Sequence, residues 1–118
     1  MKILQPPGWP RPRGYSNGVA AHGTVVAIAG QIGWNAGRFE TDDLVGQVRQ
    51  SLTNIVAILA EAGARPEHIV RMNWYLADKD VYNSRLDEIG AELSKLPPDR
   101  APTTIGCRRL TTCSRNPP

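Results

Sequence analysis

The stretch that decides the fold is LVGQVRQSLTNIVAILAEAG, residues 44–63. Leu44, Val48, Leu52, Ile55 and Leu59 recur at intervals of four, four, three and four residues, the spacing of one apolar stripe on an α-helix. Residues three or four apart share a helical face, so all five side chains turn toward a common partner. Thr41 or Asp42 is placed to cap the start of this helix, and the acidic pair Asp42–Asp43 suits the positive end of its dipole. Gly63 can close its far end, and Arg65–Pro66 then forces a turn. A helix with one apolar face needs a second layer to bury it.

The flanking sequence supplies that layer as β-structure. TVVAIAG, residues 24–30, is uncharged, rich in small and β-branched residues, and ends in glycine. It predicts a strand in the middle of a sheet, buried on both faces. Ser16–Ala20 reads as a short strand before it, with a turn at His22–Gly23. GWNAGRFE reads as a turn region with a short strand near Arg38–Glu40. Residues 5–14 hold four prolines and two glycines, which excludes a helix there, and Trp9 is expected to anchor this segment against the body.

Downstream, HIVRMNWYLAD, residues 68–78, alternates. Val70, Met72, Trp74 and Leu76 line one face, and Arg71, Asn73 and Tyr75 the other, as in a strand packed against helices. Asp78 caps a second helix striped by Tyr82, Leu86, Ile89 and Leu93, which Pro97–Pro98 stops. APTTIGC, residues 101–107, reads as another strand. The order is β-β-(β)-α-β-α-β: an α/β (α+β) chain with two helices on one face of a mixed sheet. The other face carries Ala, Val, Asn and Tyr, too apolar for water alone, and a homo-oligomer is expected to cover it.

With 118 residues the chain forms one domain, expected over residues 1–107. Residues 108–118 are expected to form an irregular basic tail. The formal charge of +3 comes entirely from Arg108, Arg109 and Arg115, because residues 1–107 balance 11 Lys/Arg against 11 Asp/Glu. No aromatic residue lies among those arginines to stack on bases, so nucleic acid is disfavoured as a primary partner. No apolar run approaches the roughly 18 residues of a membrane span, and the N-terminus lacks the apolar stretch of about 7–15 residues that export requires. Cys107 and Cys113 lack the company of a zinc site. A cytoplasmic protein without metal or cofactor is expected.

Familiar catalytic sets are absent: the chain has no G-x-S-x-G, no P-loop and no H-E-x-x-H. His22 and His68 read as turn and strand-edge residues, and Asp42–Asp43 as a helix N-terminus. Tyr15 stands at a strand start beside a glycine-flanked turn, where a phenol can either reach a pocket or pack. The catalytic residues are unknown from these patterns.

Taken in order, GYSNGV, VVAIAGQIG, QVRQSLTNIVAILAEAG, IVRMNWYLAD and APTTIG resemble the Rid (YjgF) family over roughly residues 14–106. The motifs are a strand ending in G-Q, a helix with Q-x-x-x-x-L-x-N-I, and a strand ending in L-x-D. The resemblance implies a chorismate-mutase-like fold, a homotrimer with its sheets facing inward, and clefts between subunits. It implies hydrolysis of reactive enamines and imines to a 2-keto acid and ammonia, without a cofactor. A small carboxylate or carbonyl metabolite is the implied partner, bound by Tyr15, by the turn Ala29, Gly30 and Gln31, and by the A-R-S/T strand. Here that strand reads Ala101, Pro102, Thr103, with proline at the position of the family's carboxylate-binding arginine. Arg100, two residues earlier, would share a strand face with that position, and Thr103 belongs to the same motif. An asparagine of the active members falls at Leu86. The family's last strand, which supplies a water-holding glutamate, is replaced by CRRLTTCSRNPP and reads as lost. Two other readings stand beside hydrolysis: a non-catalytic metabolite-binding or regulatory homologue, and an endoribonuclease or translation inhibitor.

Overall fold

Helix α1, Leu44–Glu61, occupies the stretch that the apolar period marks out. In the computed structural model, which describes residues 1–12 and 16–95 and the backbone of 108–109, Val48, Leu52 and Leu59 of the stripe are buried. Leu44 and Ile55 pack partly against them, and Val45 joins the core. The N-cap is Asp43, one residue beyond the expected pair. Its carboxylate accepts the Gly46 amide at 3.0 Å. Thr41 is used one step earlier, its Oγ1 accepting the Asp43 amide at 3.0 Å and so fixing the path into the helix. Gly63 ends α1 as expected, at φ 67°. The Gly63 amide donates to Ala60 O at 3.0 Å and the Ala64 amide to Leu59 O at 2.9 Å, the paired bonds of a Schellman closure.

Among the described residues, six short strands form three two-stranded ladders. Strand β1 (Lys2–Leu4) pairs antiparallel with β2 (Gly18–Ala20), and β3 (Trp34–Asn35) with β4 (Arg38–Phe39). Strand β5 (Tyr75–Leu76) pairs in parallel with β6 (Arg108–Arg109). The architecture is therefore mixed α+β, with both ladder senses present. Arg108–Arg109, expected in an irregular tail, make a backbone ladder instead. The strand expected over residues 101–107, the domain boundary at 107 and both cysteines lie outside the described residues.

Residues 24–30 make no ladder among the described residues, contrary to the expectation of a central strand. The described partner of β2 is the N-terminal segment, not this run, and β-propensity without a partner edge builds no ladder. Val25 is consequently 90% exposed. Val70 and Tyr75 are exposed as well. Across residues 68–78 the alternation holds at Met72, Trp74 and Leu76, all buried. Ile69 replaces Val70 in the core because a 3-10 turn, Pro66–His68, runs up to it and turns it inward. His68 closes that turn, its Nδ1 accepting the Arg65 amide at 3.0 Å.

Asp78 caps the second helical segment as expected, its Oδ1 accepting the Asp80 and Val81 amides at 2.9 and 3.1 Å. The segment then breaks at Arg85 (φ −125°, ψ 24°) into α2, Lys79–Ser84, and α3, Leu86–Ser94. The Arg85 guanidinium pairs with Asp43 at the start of α1 and with Glu88 at 2.6 Å. These contacts tie the break to the N-terminus of α1. They hold the Asp43 carboxyl below the usual carboxylate range, chiefly through the Arg85 hydrogen bond. The break also carries Leu86 off the predicted stripe: it is 48% exposed, while Tyr82 and Ile89 stay buried.

Glu92, on α3, is buried, and its Oε1 accepts Arg49 Nη2 from α1 and Lys95 Nζ, each at 2.8 Å. The Arg49 and Lys95 hydrogen bonds, in that order, outweigh burial and lower the carboxyl to about 2. At the N-terminus Trp9 is 61% exposed, not packed as expected. The Gln5 side-chain amide donates to Trp9 O at 2.9 Å, and Asn17 Nδ2 donates to Gln5 Oε1 at 2.8 Å. These bonds close the loop without using the indole. No helix among the described residues is long and apolar enough to cross a membrane.

Two outcomes test this packing. Ile89, 2% exposed in the core, leaves a cavity when cut back, so Ile89→Ala should cost about 2–5 kcal/mol in a denaturant titration. Glu92 has a depressed carboxyl, so its contribution is present above the ordinary carboxylate range and is lost as pH falls toward about 2. Glu92→Gln should be less stable than the parent near neutral pH, with a flatter fall in stability across that acid interval.

Candidate functional site

Between residues 29 and 34 the chain passes directly over α1, and the contact is set by a glycine. A Cβ on Gly33 would stand 2.7 Å from both Cβ and Cγ of Gln47 and 2.9 Å from its Cα. Only a residue without a side chain lies this close to the helix. Asn54, two turns along α1, then holds the segment: its Nδ2 donates to Trp34 O at 2.8 Å and to Ile32 O at 3.3 Å. Its Oδ1 accepts Gln50 Nε2 at 2.9 Å, which fixes the orientation of the amide. The Trp34 amide also donates to Ile32 O at 2.7 Å. A backbone stretch that joins a ladder only at Trp34 is thus fixed from below by α1.

Beyond it, β3 and β4 form a hairpin whose two-residue turn has Ala36 at φ 49° and Gly37 at φ 87°, the pair of left-handed residues a type I′ turn requires. The hairpin carries the Trp34 and Phe39 rings in edge-to-face contact, with centroids 5.4 Å apart and planes at 80°. A cavity of about 490 Å³ opens between this hairpin, the Gly30–Gln31 backbone and the flank of α1 at Asn54, Ala57 and Ile58. None of its lining residues is charged. A smaller cavity of about 220 Å³ lies by Arg49, Glu92 and Lys95, whose charges are already engaged with one another.

Of the expected binding residues, Gly30 and Gln31 line the larger cavity. Ala29 is beside them, its carbonyl accepting Gln31 Nε2 at 3.2 Å. Tyr15, Arg100, Pro102 and Thr103 lie outside the described residues. Leu86, at the position where the resemblance implies an asparagine, is on the exposed side of α3. Sequence reasoning overlooked Trp34, Asn54 and Ile58 as parts of the site. Asn54 was visible in the Q-x-x-x-x-L-x-N-I pattern, but nothing local to Trp34 or Ile58 pointed to a cavity. Among the described residues no group of three or more His, Cys, Asp or Glu side chains is arranged to hold a metal ion. The described wall offers backbone groups, the Gln31 side-chain amide and an apolar surface, the Asn54 amide being engaged with Ile32, Trp34 and Gln50. It can bind and orient a planar, uncharged group, and it presents no nucleophile or general base.

Comparisons with known proteins agree on one group. The model of the family described as endoribonuclease L-PSP matches residues 10–114, reaching past the segment 14–106 that carries the motifs. A RutC family protein of Synechocystis sp. is 33% identical over 119 residues, covering 84% of this chain and 88% of its own length. One of Aquifex aeolicus is 36% identical over 116 residues, covering 93% and 89%. The crystal structure of a Mycobacterium tuberculosis member of the YjgF/YER057c/UK114 family superimposes with a TM-score of 0.58 at 30% identity. That match covers 84% of this chain and 74% of the other.

The close approach at residue 33 is directly testable. Gly33→Ala forces the segment off α1 and should destabilise the protein by about 1–3 kcal/mol, with amide shifts in NMR spectra concentrated at residues 29–35 and 47–54.

Proposed function

The chain belongs to the Rid/YjgF family, whose chorismate-mutase-like architecture it shares, and from this we propose that it hydrolyses reactive enamines or imines of small carboxylate metabolites in clefts between the subunits of a homotrimer. The observation that carries the reading is the Gly30–Gln31 backbone, held open on an uncharged cavity by Gly33 and Asn54. The chemistry asks little of the protein. An imine carbon is already electrophilic, and water adds to it to give a carbinolamine. Loss of ammonia then leaves the 2-keto acid, so that R–C(=NH)–COO⁻ and H₂O become R–C(=O)–COO⁻ and NH₃. Orientation of the substrate and of the water supplies the rate. In this reading Arg100 pairs with the substrate carboxylate in place of the residue that Pro102 displaces. Tyr15 and Thr103 shape the cleft beside Ala29–Gln31. No cofactor takes part, and the setting is the cytoplasm.

A second reading has its own support. Pro102 stands at the expected arginine and Leu86 at the expected asparagine, and the described wall offers no proton-transfer group. A cleft kept for ligand binding without turnover would have this composition. Ribonuclease activity, which the family description carries, fits less well, because residues 1–107 carry no net charge, which argues against an extended basic surface for RNA.

The deciding assay is the decay of 2-iminopropanoate generated in situ by a dehydratase. Acceleration above the spontaneous rate, lost in Arg100→Ala by about 100-fold or more, supports hydrolysis. Saturable binding of the 2-keto acid with no acceleration supports the binding protein.

A further inference from the structure

We propose that the cavity beside Gly30–Gln31 is a side-chain subsite for planar aromatic groups, so that the preferred ligands are 2-oxo and 2-imino acids with an aromatic side chain. The inference deepens the reading above and rests on its placing the reacting end of the ligand at Gly30–Gln31. Four observations carry it.

The first is size. The depression is open to solvent on one side and holds about 490 Å³, enough to seat a ring against its wall, whereas a methyl group would leave most of this space to water. The second is charge. The lining has no ionised side chain, so it gains nothing from a second charged group on the ligand and charges no desolvation penalty to an apolar one. The third is Trp34, which is 45% exposed at the cavity wall. An exposed indole offers a large apolar, polarisable surface at low conformational cost, as in binding hot spots.

The fourth is rigidity. Phe39 meets Trp34 edge to face, Asn54 binds the Trp34 carbonyl, and the Ala36–Gly37 turn fixes the hairpin between them. Ala36 accepts a left-handed backbone that a β-carbon disfavours, and this turn lines the cavity with small side chains. A wall held before the ligand arrives loses little entropy on binding. The continuity of the cavity with Gly30–Gln31 sets the direction of the ligand: carbonyl or imine toward the backbone, ring toward Trp34 and Ile58.

The test uses the full chain labelled with ¹⁵N and two probes, phenylpyruvate and pyruvate. Phenylpyruvate should bind about tenfold or more tightly than pyruvate and should shift the Trp34 indole N–H signal, assigned from its absence in Trp34→Phe. Ala57→Leu fills the cavity from an exposed helical position with little cost to folding. It should abolish the preference by weakening phenylpyruvate by a larger factor than pyruvate. Equal affinities, no binding of either probe, or a preference that survives both Trp34→Ala and Ala57→Leu would overturn the subsite. If no imine is turned over and the preference is intact, hydrolysis falls and the subsite stands. Turnover without aromatic preference removes the subsite alone.

Discussion

The missing side chain at Gly33 is the constraint on which the arrangement turns. Because residue 33 rests within van der Waals distance of Gln47, α1 serves two layers at once. One face buries Val45, Val48, Leu52 and Leu59 in the core, and the flank at Asn54 carries the segment that opens on the cavity. Moving this segment outward by one methyl group would separate the Ile32 and Trp34 carbonyls from the Asn54 amide. Their polar groups would then need water as partners, and the cavity would lose its fixed wall. Core stability and site geometry therefore share one helix.

Charge fixes how the other helices sit on α1. Arg85 reaches the Asp43 cap, and Glu92 collects Arg49 and Lys95. An exposed ion pair contributes little to stability. Glu92 differs because it is 6% exposed, and a carboxylate at that depth is tolerated only with its partners in place. Any register of α3 against α1 that separates Glu92 from Arg49 would leave a buried charge with half its compensation.

The features legible in the sequence were those decided within a few residues. The α1 period, its closure at Gly63, the Asp78 cap and the inward set Met72, Trp74 and Leu76 depend on local spacing. The break at Arg85 was not legible, because its bond to Asp43 joins residues 42 positions apart. Leu86, read as part of an unbroken stripe, was misplaced for the same reason. Residues 24–30 have strand composition, but a ladder belongs to a pair of segments and not to one. At the site, Gly30 and Gln31 were marked by a motif. Trp34 and Ile58 meet only after a hairpin folds beside a helix, and no single window of sequence contains both.

The N-terminal loop carries a consequence for the unfolded chain. Residues 5–12 are ordered by a turn at Gly8 and by the Gln5 and Asn17 amides, with little apolar burial around them. Elsewhere, ordering eight residues on so few contacts would cost about 1–2 kcal/mol per residue in backbone entropy. Here Pro6, Pro7, Pro10 and Pro12 have already removed much of that freedom, since each ring fixes its own φ and restricts the residue before it. The disordered segment has fewer conformations to lose. A few hydrogen bonds then suffice to hold the loop, and its shape is set less by what it touches than by what the unfolded chain could never do.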